Sequence, residues 1–261
     1  MVSQQADTTE PRVQDILNRS RRFGLLADTL TYPDGEQWQA VSADLALMLE
    51  THAPMLSEGE RAAAEGLARA WQESDEEAVR AEYGRLFLGQ TPCSLHEASY
   101  SSARNLAGPS AAIADISGFY LAFGVDIRDD SPERPDHLPT ELEFYATLLV
   151  KEAYALFNGW HEEHEITVEA ARQFLGDHLG RWRGVLSARL GSLDACRPYP
   201  EIAGWLDVIL ESECDLRQLV PEPLGDMVSD PMQSDALICP HAGSPDTAQG
   251  HQPLHFMRHE P

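Results

Sequence analysis

The chain has 261 residues, 43% of them hydrophobic, enough for a sizeable core in one large domain or two small ones and an argument against global disorder. Against 19 basic residues stand 43 acidic ones, a formal net charge of -24 that repels a nucleic-acid backbone or an anionic membrane surface and favours a basic partner segment, although solubility alone is the plainer account of it. Cys93, Cys196, Cys214 and Cys239 form no CxxC pair, Met1–Arg12 lacks the pattern of a secretory signal, and no run of about 18 apolar residues occurs; the expectation is a cytoplasmic protein without disulfides or membrane insertion.

In chain order, Val13, Ile16, Leu17, Phe23 and Leu26 predict a first helix, opened by Thr9 with Pro11 in its first turn. Ser20–Leu26 looks like a twin-arginine export signal, but the helical pattern runs straight through it and no sustained apolar segment follows, so it reads as helix. Tyr32–Gly35 predicts a turn, and Trp38, Val41, Leu45, Met48 and Leu49 a second helix. Ser57 with Glu60 reads as a capping box opening a third helix that ends near Trp71, and Ser74 with Glu77 as another, opening a fourth with Val79, Tyr83, Leu86 and Phe87 on one face.

After a break at Gly89–Ser94 the pattern gives a short helix over Glu97–Asn105, then one from Pro109 carrying Ile113, Ile116, Phe119, Tyr120 and Phe123, with Gly124 at its C-terminal cap. An acidic link, Asp126–Pro135, leads to a helix from Pro139 carrying Leu142, Tyr145, Leu149 and Ala153. One long helix carries Val168, Ala171, Leu175, Leu179, Trp182 and Leu186, and a last one after Pro200 carries Ile202, Trp205, Leu206, Ile209 and Leu216. No alternating strand pattern or repeat stands out. The predicted fold is all-α: a single helical bundle over residues 10–220, followed by a tail, 221–261, holding seven of the 17 prolines and four of the 10 histidines and expected to be extended or disordered.

The chain has no Gly-rich phosphate loop and no nucleophile elbow, so no cofactor and no catalytic residue is expected. His161 and His164 resemble a zinc-protease helix, but HExxH spaces its histidines at i and i+4; the i, i+3 spacing here, beside Gly159, favours a solvated loop. Cys239, His241, His251, His255 and His259 of the tail are chemically competent but weak metal candidates, because one thiol on flexible chain must be ordered to bind. Together with His161 and His164 they define the alternative reading, a metal-dependent hydrolase or metal-binding protein.

The central stretch is more informative. Glu82-Tyr83-Gly84-Arg85-Leu86-Phe87-Leu88-Gly89 closes a helix, with Pro92, His96-Glu97 and Tyr100 after it. Later comes Pro135-Asp136-His137-Leu138-Pro139-Thr140-Glu141-Leu142-Glu143-Phe144, the end of a segment from Asp126 with seven carboxylates against Arg128 and Arg134 only. As plain structure this is a helix end, a loop and a helix capped by Asp136. As a site it is an acidic docking groove beside a histidine.

These two motifs, in this order, resemble the TorD/DmsD/NarJ family of molybdoenzyme maturation chaperones. The resemblance runs from about Arg12 to Leu219 and is sharpest over Glu82–Tyr100 and Tyr120–Leu149. It implies an all-helical cytoplasmic protein, not an enzyme, that binds the apo catalytic subunit of a molybdopterin (bis-MGD) oxidoreductase, often at its twin-arginine leader, until the molybdenum cofactor is inserted before export. Carried over by motif, the implied client-binding residues are Tyr83, Phe87, Pro92, Tyr100, Asp136, His137, Glu141 and Glu143. Asp136, His137 and Glu141 are expected at the rim of a groove, where carboxylates meet leader arginines. The wording of the second motif is similar to the subgroup serving dimethylsulfide or ethylbenzene dehydrogenase and selenate- or chlorate-reductase-like enzymes.

Overall fold

A computed structural model describes residues 2–88, 91–100, 109–125 and 134–227. They form one helical bundle of nine α-helices: α1 (Val2–Thr29), α2 (Gly35–His52), α3 (Glu58–Glu73), α4 (Glu76–Phe87), α5 (Pro109–Ala122), α6 (Leu138–Asn158), α7 (His161–Asp177), α8 (Val185–Ser192) and α9 (Tyr199–Leu216). Among the described residues no strand forms; two isolated antiparallel bridges pair His96 with His137 and Tyr100 with Met227.

The bundle is organised around α6, apolar on nearly every side, which buries Leu138, Leu142, Phe144, Tyr145, Leu148 and Leu149 and packs most extensively on α1, then on α7. Phe23 of α1 meets Tyr145 edge-on at 4.7 Å, and the Ser20 hydroxyl donates to the Ala146 carbonyl at 2.8 Å, so the two helices are fixed along their length as well as pressed together. On the other side α3 packs on α9, and α2 covers α3 through Trp38 stacked on Trp71 at 4.3 Å. Trp182 and Trp205 are fully buried near the centre.

A charged cluster ties α1, α6 and α9. Glu213 Oε1 accepts from Arg19 at 2.7 Å, from Arg217 at 2.9 Å and from the Tyr145 hydroxyl at 2.8 Å, while Arg217 also donates to Glu152 at 2.8 Å. Burial alone pushes the Glu213 carboxyl up, but Arg19 and Arg217 outweigh it and hold the group below the ordinary carboxylate range. Two acids and two guanidiniums balance inside the bundle.

Several boundaries differ from expectation. Helix α1 begins at Val2, so Thr9 does not open it and Pro11 is an exposed interior residue. The Ser57/Glu60 capping box forms, but α4 starts one residue later than expected: the Asp75 side chain accepts from the Ala78 amide, and Ser74 closes α3. A carboxylate beside orphan amides outcompetes a hydroxyl for the cap. The helix expected over Glu97–Asn105 is a 3-10 turn at Glu97–Ser99, and residues 101–108 lie outside the described ones, as does the acidic link over 126–133. His161–His164 is the first turn of α7 and not a loop, with Glu162 and Glu163 favourably placed at the positive end of its dipole.

The single long helix expected from Val168 to Leu186 is α7, a 3-10 turn (Leu179–Trp182) and α8. Gly184 turns the chain at φ 78°, a conformation that favours glycine. Gly180 is required for a different reason: a Cβ there would lie 2.5 Å from the Leu175 carbonyl oxygen and 2.7 Å from Pro221 Cγ. The start of the expected tail packs in that close contact. Residues 221–227 lie against the turn without forming a helix, with Leu224 buried and its amide bonded to the Arg181 carbonyl at 3.0 Å.

Replacing Glu213 by alanine leaves Arg19 and Arg217 buried without their shared acceptor. The expected cost is about 3–5 kcal/mol of unfolding free energy, measured by urea denaturation near neutral pH; a loss under about 1 kcal/mol contradicts the assignment of this cluster as a buried tie.

Candidate functional site

The second motif forms a junction between two chain segments distant in sequence. The loop following α4 and the residues preceding α6 are joined by backbone bonds from the Glu97 amide to the Asp136 carbonyl at 2.9 Å and from the Leu138 amide to the Leu95 carbonyl at 2.8 Å. Asp136 reinforces them. Its fully buried carboxylate accepts from the Ala98 amide at 3.0 Å and from both ends of the Arg134 guanidinium, at 2.9 and 2.7 Å, with His96 Nδ1 3.6 Å away. Burial raises the carboxyl and the contacts to His96 and Arg134 lower it; the contacts win, and Asp136 is ionised far below the usual carboxylate range.

Glu97, presented inward by the 3-10 turn, is also fully buried. It accepts from Arg181 at 2.7 Å and meets His178 Nδ1 at 3.0 Å. The other nitrogen of His178 lies 3.2 Å from Asp115 of α5, whose side chain is 65% exposed, so a polar chain runs from the core to the surface. Arg181 also donates to the Glu222 carbonyl at 3.1 Å, which brings the 221–227 segment into the same network. The break after α7 makes this possible: a continuous helix keeps its i, i+3 and i+4 positions on one side, whereas the 3-10 turn brings Arg181 and Trp182 inward together.

Glu141, one turn into α6, is the third buried acid. The Trp182 indole donates to one of its oxygens at 3.3 Å, and the other has no hydrogen-bond partner among the described residues. Burial first, then the charges of Glu97 and Asp136, push its carboxyl well above the ordinary range, so it is a neutral acid.

The structure brings together four of the eight residues implied by the resemblance: Tyr100, Asp136, His137 and Glu141. Tyr100 packs edge-on against Trp182 at 5.3 Å and donates to the Ser94 carbonyl at 2.7 Å. His137 precedes α6 and faces His96 at 5.0 Å; it, and not Asp136, is the N-cap residue, because Asp136 is committed to Ala98 and Arg134. Tyr83 and Phe87 belong to a separate buried aromatic run with Tyr32 and Tyr199. Pro92 and Glu143 are half-buried, and the Pro92 carbonyl accepts from Arg189 at 2.6 Å. The expected rim of exposed carboxylates is therefore not where Asp136 and Glu141 lie; both are inside, one bound to arginine and one neutral.

Residues missed at the sequence level are Glu97, Asp115, His178 and Arg181. A signal existed for two of them, since His178 and Arg181 interrupt the apolar stripe of Leu175, Leu179 and Trp182, where a polar residue needs a buried partner. His161 is exposed and His164 half-buried, and among the described residues no group of three or more His, Cys, Asp or Glu side chains is arranged to hold a metal ion. Cys239, His241, His251, His255 and His259 lie outside the described residues. No helix of the described residues is long and apolar enough to cross a membrane.

The family described as nitrate reductase delta subunit matches residues 53–188, a range containing the whole network from His96 to Arg181. The chain is 38% identical over 164 residues to the chlorate reductase assembly chaperone protein of Ideonella dechloratans, covering 60% of this chain and 68% of that protein. It is 34% identical over 122 residues to the selenate reductase assembly chaperone protein of Thauera selenatis, covering 46% of this chain and 61% of that one. It is 28% identical over 193 residues to the perchlorate reductase assembly chaperone protein of Dechloromonas aromatica strain RCB, covering 69% and 81%.

The neutral state of Glu141 has a measurable pH signature. An unfolded glutamate ionises near pH 4.3 while the folded Glu141 keeps its proton, so stability from this group is fully present below that pH and is lost as pH rises towards the raised folded value, at about 1.4 kcal/mol per pH unit. Glu141→Gln, which carries no titrating proton, is expected to gain stability relative to the unsubstituted chain by more than about 1 kcal/mol between pH 5 and pH 8 in urea unfolding. A gap that stays constant across that range contradicts the neutral assignment.

Proposed function

The chain belongs to the nitrate reductase delta subunit family, the TorD/NarJ type of maturation protein, and we propose that it is a system-specific chaperone acting in the cytoplasm on the apo catalytic subunit of a molybdopterin (bis-MGD) oxidoreductase. It binds that subunit, with its twin-arginine leader where one is present, and keeps it open for cofactor insertion before assembly or export. It acts by binding and not by catalysis: the named relatives are assembly chaperones. The observation that carries the reading is the family match over residues 53–188, which spans the buried Asp136–Glu97–Arg181 network as one unit. Three relatives named for chlorate, selenate and perchlorate reductases support an oxyanion reductase as the client class.

Of the eight residues implied by the resemblance, Pro92 and Glu143 have surface to offer the client directly. Tyr83, Phe87, Tyr100, Asp136, His137 and Glu141 act through the surface they hold in shape. The chaperone unit is residues 10–220, with 221–261 as an appended tail whose first residues seal the Arg181 turn. A net charge of -24 supports a basic client surface and argues against a nucleic-acid partner.

Deleting the chain from its host is expected to leave the client reductase present, inactive and depleted of molybdenum, as read by metal analysis of the purified reductase. Normal molybdenum content and normal activity in the deletion strain contradict the proposal.

A further inference from the structure

Helices α5 and α7 lie antiparallel: Asp115 meets His178 at one end and Phe119 meets Phe174 further along. They touch each other only sparsely, and a groove of about 630 Å³ remains between them on the outside of the bundle. On α5 it is lined by Asp115, Gly118, Phe119 and Ala122, spaced i, i+3, i+4 and i+7, a single helical face. Facing them on α7 are Glu165, Ile166 and Glu169.

Two properties specify an occupant. The floor is apolar and uncovered: Phe119, Ala122 and Phe123 form it with Ile166, which is 56% exposed. The rim is acidic, with Asp115, Glu165 and Glu169 and no lysine or arginine among the lining residues. Two parallel ridges with a vacant seam accept a third helix, and the lining faces extend over about two turns, roughly 11 Å. Gly118 and Ala122 keep the seam open; a Cβ at Gly118 meets nothing within 4 Å.

We propose that this groove docks a short amphipathic helix of the client polypeptide, with an apolar stripe for the floor and arginines or lysines for the Asp115, Glu165 and Glu169 rim. The inference rests on the chaperone reading and adds the location and chemistry of the contact. It also assigns a second role to the buried network: Asp115 is both a rim carboxylate and the outer end of the Asp115–His178–Glu97–Arg181 chain. The junction centred on Asp136 thereby fixes the turn that holds one wall of the groove.

The test uses the full chain and the reductase catalytic subunit it captures in its host, identified by mass spectrometry. Ala122→Trp fills the seam, and the pair Glu165→Lys with Glu169→Lys reverses the rim; all three sites are exposed. A control pair, Glu50→Lys with Glu65→Lys, makes the same charge change on exposed sites of α2 and α3. Each groove variant is expected to bind the catalytic subunit at least about tenfold more weakly, the reversed pair with a flatter salt dependence, while the control stays within about twofold. Groove variants that bind within about twofold of the unsubstituted chain overturn the location and leave the chaperone reading intact. A groove variant that alters only self-association assigns the groove to a second copy and also overturns it. If the unsubstituted chain captures no reductase subunit, the chaperone reading fails and this inference with it.

Discussion

Burying a carboxylate is unfavourable by several kcal/mol unless charge and hydrogen bonds compensate it, and at Asp136 the compensation comes from two places in the chain at once. Arg134, two residues upstream, supplies a bidentate partner, and the Ala98 amide, 38 residues upstream, supplies the third donor. Asp136 can therefore be ionised and buried only when the loop after α4 and the entry to α6 are together. The same constraint orders its neighbours. Glu97, adjacent to that junction, accepts from Arg181 and meets His178 Nδ1. Glu141 has no guanidinium left to it and keeps its proton. The site compensates the charge of Asp136 and neutralises Glu141.

From this junction the chain is directed outward. Arg181 receives the 221–227 segment, and His178 reaches Asp115 on the surface. A motif that reads as a contact surface is thus internal, and on our proposal recognition falls to the helix faces that it orients. This resolves an apparent conflict: carboxylates meant for a partner's arginines do not sit at zero exposure bound to the protein's own arginine. Asp115, Glu165 and Glu169, the exposed carboxylates of our proposal, come from stretches where the sequence carries no recognisable motif.

The helical fold was legible because helices announce themselves locally: the Ser57/Glu60 box and the stripe of Val79, Tyr83, Leu86 and Phe87 are where the spacing puts them. Boundaries were less legible where two caps compete, as Asp75 did with Ser74, or where apolar spacing continues through a break, as from Leu175 to Leu186. The motif was legible as a motif, and its partners were not. Nothing in local spacing joins Asp136 to Ala98 or Glu97 to Arg181, because those contacts are made by tertiary packing. Burial likewise separated the roles of Asp136, Glu141 and Asp115, which carry similar carboxylates.

The central claim is that Asp136 organises the client surface from inside and does not touch the client. It is tested by measuring the unfolding free energy of Asp136→Asn and, on the same preparation, its affinity for the reductase catalytic subunit. The predicted result is a stability loss of about 3 kcal/mol or more, from loss of the Asp136 carboxylate charge beside Arg134 and a weakened Ala98 bond, with affinity of the folded fraction retained under stabilising conditions. Unchanged stability together with clearly weakened binding contradicts the account and returns Asp136 to the interface.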